Sequence, residues 1–216
     1  MAAKTLQIDF VSDVVCPWCA IGLASLETAL QRLEGEVAAE IRFQPFELNP
    51  DMLPEGEDRD EHLTKKYGRS KQEFAAIRET IRERAAAVGF TMNPQERIYN
   101  TFDAHRLLHW AGTAHPALQP ALKHALLRAY FTEARNVADP EVLVAAAQQA
   151  GLDPQEARAI LASDRYAAEV RQEEQAWLAA GISSVPAIVV NRKYLISGGQ
   201  PPEVFEANLR EMAKQL

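Results

Sequence analysis

Cys16 and Cys19 are the two cysteines of this chain, separated by Pro17 and Trp18. At that spacing the sulfurs are neighbours in space on any backbone. A disulfide framework for a secreted domain would use more cysteines, spread along the chain. A single Cys-x-x-Cys in a reducing compartment instead reads as redox or metal chemistry. If a helix starts at Cys16, unpaired backbone N–H groups and the positive end of the helix dipole face its sulfur. They favour thiolate over thiol, the dipole alone by up to about 2 kcal/mol in good geometry. Cys19, one turn further in, is then placed to attack a mixed disulfide formed on Cys16.

Two other readings compete. The pair could be buried and inert. Alternatively, His105 and His109, at i, i+4 spacing on one helix, would complete a Cys2His2 zinc set with Cys16 and Cys19. That set must span about 85 residues, far more than a zinc-finger loop. No metal site is therefore assigned.

The elements around the cysteines fit the redox reading. Leu6, Ile8 and Phe10 alternate with Gln7 and Asp9, which predicts a strand. Ile21, Leu26, Leu30 and Leu33 then recur at helical spacing up to Gly35, with Pro17 suited to the first turn. A second strand is predicted over 41–46. The cysteines thus lie where strand becomes helix in a β-α-β unit.

From about Asp51, strand signals vanish for some 130 residues. Ser70-Lys71-Gln72-Glu73 reads as a capping box opening a helix that ends near Gly89. Helices follow over 101–110 and 118–133. Asp139-Pro140 and Asp153-Pro154 each place an N-cap acid before a first-turn proline, with Glu156 completing a box on the second. A further helix spans 166–180. The basic cluster Lys65, Lys66, Arg69 and Lys71 reads as a solvated helix face. Strands return at Ala187–Val190 and Tyr194–Ile196, joined as a hairpin through Asn191-Arg192-Lys193, and a last helix follows Pro201-Pro202.

Neither β-bearing end has enough strands for a stable sheet. Joined, they make one four-stranded sheet, and the helical block becomes an insertion, which loop-closure entropy tolerates. The expected fold is α/β, thioredoxin-like, with a large all-helical insertion. Residues 1–52 (β-α-β) and 165–216 (α-β-β-α) form the sheet domain, and 53–164 the insert.

Pro186, in Ser183-Ser184-Val185-Pro186, opens the penultimate strand, a position where a cis X-Pro bond would sit. With it the ordered set of motifs resembles the DsbA family. The match is closer to its cytoplasmic FrnE-like branch, which is related to 2-hydroxychromene-2-carboxylate isomerases and kappa-class glutathione transferases. The carrying segments are Asp13-Val14-Val15-Cys16-Pro17-Trp18-Cys19-Ala20-Ile21-Gly22, Pro45-Phe46-Glu47-Leu48-Asn49-Pro50, Asn100-Thr101 with Ala104-His105-Arg106-Leu107, Ala129-Tyr130-Phe131, Val185-Pro186 and Gly198-Gly199-Gln200.

The resemblance implies Cys16 as nucleophile and Cys19 as resolving thiol. It implies Pro186 as a cis-proline facing them, with Pro17, Trp18, Val185 and Pro186 contacting substrate. The implied activity is thiol–disulfide exchange with protein or small thiol substrates; the alternative is a glutathione-dependent isomerase or transferase. Those relatives usually carry Ser at the Cys16 position, so this chain leans towards redox work. Members of this branch often have Gly before Val-Pro, where this chain has Ser183-Ser184, which bears on the shape of the substrate groove.

Composition limits the remaining options. At 47% hydrophobic and 25% charged residues the chain can fold around a core. A net charge of −7 argues against nucleic-acid or anionic-membrane partners. No stretch approaches a spanning helix, and Asp9 and Asp13 break any signal-peptide core, so the expected location is the cytoplasm. No nucleotide, zinc-protease or serine-hydrolase motif is present. No cofactor is expected, with glutathione entering only as a co-substrate. The oligomeric state is left open, a homodimer among the options.

Overall fold

A computed structural model describes residues 4–215; Met1–Ala3, part of the N-terminal stretch considered for a signal peptide, lie outside the described residues. A four-stranded sheet in the order β2-β1-β5-β6 is assembled from the two ends of the chain, as the sequence predicts. Strand β1 (Lys4–Ser12) runs parallel to β2 (Val37–Pro45), with Ser12 opposite Pro45. Helix α1 (Pro17–Arg32) joins them. Strand β5 (Ala187–Val190) pairs antiparallel to β1, and β6 (Tyr194–Ser197) to β5. Asn191 and Arg192 both have positive φ, the conformation a tight hairpin of this hand requires.

Between β2 and β5 lie β3 (Glu57–Asp58), α2 (Arg59–Tyr67), α3 (Lys71–Ala87), β4 (Arg97–Ile98), α4 (Phe102–Ala114) and α5 (Gln119–Phe131). Helices α6 (Pro140–Gln149), α7 (Pro154–Leu161) and α8 (Ala167–Ala179) follow, and α9 (Pro202–Ala213) closes the chain.

Three expectations need correction. Helix α2 and the two-residue β3–β4 ladder interrupt what the sequence presents as a strand-free stretch with its first helix at Ser70. Strand β2 begins four residues before Ile41, where small Ala38 and Ala39 hide the alternation. Glu156 does not complete a capping box: Asp153 accepts from the Gln155 N–H, while Glu156 pairs with Arg165. The box at Ser70 and Glu73 does form.

The helical region is fastened to the sheet at its open edge. Strand β2 is an edge strand, with backbone groups left to satisfy. The Gln119 side chain fills that role. Its Oε1 accepts from the Phe43 N–H at 3.0 Å, and its Nε2 donates to the Phe43 and Leu108 carbonyls at 3.0 Å each. Gly112 makes room for it: a Cβ there would lie 2.5 Å from the Gln119 amide nitrogen. One apolar core runs without interruption from Leu6, Ile8 and Phe10 of β1 through Leu23 and Leu26 of α1 to Leu107, Leu126 and Leu143 of the helical region. Burying those side chains contributes about 1.5–3 kcal/mol each, comparable to the entropy lost in ordering them.

Candidate active site

Cys16 is the N-cap residue of α1 and Pro17 its first residue, so β1 delivers the first sulfur to the tip of the helix. The intervening turn is fixed by the Cys16 N–H donating to the Asp13 carbonyl at 3.3 Å. The Cys16 carbonyl then accepts from the Cys19 N–H at 3.0 Å and the Ala20 N–H at 3.3 Å. Both thiols are free; Cys16 is 4% exposed and Cys19 is sealed. Burial drives the Cys19 thiol well above its ordinary range, helped by the neighbouring Cys16 sulfur; the Lys123 ammonium acts the other way. Cys19 is therefore a protonated thiol in this structure.

The opposite wall comes from the loop before β5. The Cys16 thiol donates to the Val185 carbonyl at 3.7 Å, and the Val185–Pro186 peptide is cis. Gly22 and Gly199 close this wall against α1. A Cβ on Gly22 would lie 3.1 Å from Pro186 Cγ, and one on Gly199 only 2.7 Å from the Trp18 carbonyl oxygen. Trp18 is half-buried, with the Arg84 guanidinium 5.8 Å from its ring; Arg84 also donates to the Gly199 carbonyl at 3.1 Å.

Cys16, Pro17, Trp18 and Val185 all line one cleft of about 710 Å³ between the sheet and helices α2 and α3. Ser183 and Ser184 lie on its wall. The basic cluster read as a solvated face is only partly that. Lys66 and Arg69 line the cleft, and the Lys66 ammonium donates to the Leu48 carbonyl and Asn49 Oδ1.

Beneath the cysteines lies a set of buried charges. Asp13, fully buried, accepts from the Leu48 N–H at 2.8 Å, and its other oxygen stands 3.5 Å from His105 Nε2, an ion-pair separation rather than a close hydrogen bond. Burial works to raise its carboxyl, yet His105, the Leu48 N–H and Thr101 outweigh this and hold it below the usual range. Lys123 is completely enclosed; its ammonium has no hydrogen-bond partner and lies 5.8 Å from the Phe43 ring. Burial pushes it below the ordinary lysine range, opposed by Cys19, Asp13 and Cys16. The sequence carries one local signal for Lys123, its place beside the apolar row of Leu122, Leu126 and Tyr130 on α5.

His105 and Arg106 do not reach the cleft. Both are buried, and Arg106 is spent on carbonyls of the α7–α8 connection. The zinc alternative also loses its ligands: His109 Nδ1 contacts Glu173 at 3.1 Å, and no three metal-holding side chains converge among the described residues. Both Trp110 and Trp177 read as core residues from the sequence; Trp110 is buried, but Trp177 is only half-buried, packed on a smaller cluster.

Glu47, from the Phe46-Glu47-Leu48 segment, lines the far end of the cleft with 1% of its side chain exposed. It pairs with Arg171, which also holds Glu174 at 2.9 Å. Burial and Glu174 push its carboxyl up to about 7, against the pull of His105 and Arg171. Between the ordinary carboxylate value of about 4.3 and 7, the native state binds more protons than the unfolded chain, so stability falls as pH rises through that window. Glu47→Gln removes the slope. In urea denaturation the variant gains stability relative to the wild type between about pH 5 and about pH 8. An unchanged difference across the window contradicts the assignment.

Similarities to known proteins agree with this geometry. The family model of the DSBA-like thioredoxin domain matches residues 7–210. A solved structure from Streptomyces coelicolor, a probable DsbA oxidoreductase, is 37% identical with a TM-score of 0.87, over 97% of this chain and 90% of that one. The uncharacterized protein YwbO of Bacillus subtilis is 27% identical over 98% of this chain and 99% of its own. A 2-hydroxychromene-2-carboxylate isomerase structure shares the fold, at 16% identity and a TM-score of 0.74 over 97% of each chain.

Proposed function

The chain belongs to the DSBA-like thioredoxin domain family, and from that premise we propose that it is a thiol–disulfide oxidoreductase working through Cys16 and Cys19. The observation that carries the reading is the helix-tip pair itself: one sulfur lines the cleft, and the other is sealed one turn behind it, both as free thiols.

The cycle follows from that order. The Cys16 thiolate attacks one sulfur of a substrate disulfide, the substrate S–S bond breaks, and the leaving thiolate takes a proton. Cys19 then gives up its proton and attacks the Cys16 sulfur of the mixed disulfide. The second substrate thiol leaves, and Cys16 and Cys19 end oxidised as a disulfide. The reverse sequence reduces the pair. Electrons move only between sulfurs, so no cofactor takes part, and a small thiol such as glutathione serves as co-substrate.

Val185 touches Cys16 and lines the cleft with Pro17 and Trp18, and these three are proposed as substrate contacts. Pro186, buried and absent from the cleft lining, is proposed to act with them by shaping the Val185 backbone. A reducing cytoplasm suits two unpaired thiols. No helix among the described residues is long and apolar enough to cross a membrane.

Cys19→Ser tests the cycle. With the resolving thiol gone, the mixed disulfide on Cys16 persists, and intact-mass measurement after addition of oxidised glutathione finds the chain plus one glutathione. A glutathione-dependent isomerase or transferase predicts instead that Cys19→Ser leaves turnover intact and that no adduct accumulates. That result would reject the proposal.

A further inference from the structure

The cleft over Cys16 has a charge opposite to that of the molecule. The chain carries 23 basic and 30 acidic residues. Yet the ionisable side chains lining this cleft, apart from Cys16 and the tyrosines, are Arg59, His62, Lys66, Arg69 and Arg78 against the single acid Glu47. Glu47 is already held by Arg171, and burial disfavours its charge.

Internal partners account for part of the positive set. Arg78 pairs with Asp60 at 2.5 Å, His62 with Glu57 at 2.7 Å, and Lys66 is bonded to Leu48 and Asn49. Arg59 and Arg69 have no carboxylate within ion-pair distance among the described residues. Arg59 is the more telling of the two. It opens α2, where its backbone N–H is fixed by the Glu96 carbonyl at 2.8 Å, and its half-buried guanidinium lines the cleft unpaired. Burial works against its charge and Arg78 adds repulsion, with Tyr130 and Asp60 only partly compensating. A half-desolvated cation without a counter-ion is costly, and an incoming anion relieves that cost.

Size narrows the occupant. A cleft of about 710 Å³ lies within the range of small-molecule sites. Leu63, Phe74, Ile77 and Ile81 give it an apolar wall opposite Cys16. Resting on the reading of Cys16 as the nucleophile, we propose that the substrate of this site is a small disulfide or thiol bearing a carboxylate or similar anion, and that Arg59, with Arg69 at the rim, is its anion subsite. The covalent step is unchanged. Cys16 attacks one sulfur of the disulfide, the S–S bond breaks, and the leaving thiolate is protonated by water, while the anion on the retained half rests against Arg59.

Three symmetrical probes of similar length separate the alternatives: dithiodipropionate (two negative charges), bis(2-hydroxyethyl) disulfide (neutral) and cystamine (two positive charges). Each rate constant with the reduced protein is divided by that with free mercaptoethanol thiolate, which removes intrinsic reactivity. Dithiodipropionate should exceed the neutral probe by at least about tenfold and cystamine by more, with the preference shrinking in high salt. Arg59→Met should lower the ratio of anionic to neutral probe at least about fivefold, while Arg59→Lys retains most of it. Arg69→Gln, on the exposed rim, should lower it by a smaller factor and remains informative if Arg59→Met does not fold.

Equal normalised rates for the three probes, or a ratio unmoved by Arg59→Met and Arg69→Gln, would overturn the subsite and leave the oxidoreductase reading standing. Three inert probes on a protein whose thiols still alkylate would remove both. A disulfide-bridged acidic peptide that outruns dithiodipropionate would overturn the small-molecule assignment.

Discussion

Cys16→Ser is expected to lower disulfide exchange by at least about a thousandfold, whichever disulfide is offered. A serine hydroxyl is neither ionised near neutrality nor able to exchange with sulfur. Cys19 cannot substitute for it, because it is sealed and burial holds it protonated. Reduction of insulin or of oxidised glutathione, coupled to a thiol reductant, measures the loss. Serine puts a hydroxyl at a position with 4% exposure but keeps a donor for the Val185 carbonyl, so the variant should stay folded with a modest fall in thermal midpoint. Turnover retained in a folded Cys16→Ser protein would place the chemistry elsewhere.

The second large effect concerns stability. Arg106→Met should destabilise the protein by about 3–5 kcal/mol. The Arg106 guanidinium is buried and donates to the Arg165 carbonyl at 2.9 Å, the Ile160 carbonyl at 2.6 Å and the Ser163 carbonyl, and it pairs with Asp103 at 2.8 Å. Helix α7 ends at Leu161, so some of these are the final carbonyls that a helix cannot satisfy for itself. Methionine fills much of the volume but donates nothing, so the Arg165 and Ser163 carbonyls lose the guanidinium, the Ile160 carbonyl keeps only its bonds from Ser163, and Asp103 loses its ion pair. At about 2–4 °C per kcal/mol for a chain of this size, the thermal midpoint falls by about 10 °C. Below that midpoint, the rate of Cys16 alkylation should be unaltered, since Arg106 does not line the cleft. A shift under about 2 °C would mean that water replaces the guanidinium without penalty.

These two residues mark the boundary of what the sequence makes legible. The cysteine pair and the β-α-β unit around it are local features. Alternation in Leu6, Ile8 and Phe10, helical spacing in Leu26 and Leu30, and a proline at the first turn each specify a short element without tertiary information. Joining the two ends into one sheet followed from strand number alone.

Helix α2 was missed because it has no buried residue: its sequence, Arg59 to Tyr67, offers no apolar stripe, and the Asp58 cap and Gly68 stop are its main local signals. The β3–β4 ladder is two residues long, too short for any period to show. Arg106 could not be assigned because burial of a charge is decided by its partners. The carbonyls that hold it lie more than fifty residues away in the chain. Lys123 and Glu47 share that property, and so does the cleft, three of whose cations, Arg59, His62 and Lys66, come from α2, an element with no apolar signature. The proposed reactive pair is thus written in adjacent residues. The part that surrounds it is written in contacts between distant ones.

The most direct test is equilibration of the protein across a series of glutathione redox buffers, followed by acid quenching, alkylation of free thiols and intact-mass measurement. Both thiols should be lost together, as one two-electron transition yielding a Cys16–Cys19 disulfide, with a midpoint between about −270 and about −120 mV. If no bond between the two sulfurs appears at any buffer ratio, or if each thiol titrates alone to a separate glutathione adduct, the pair is not a redox couple and the account is wrong.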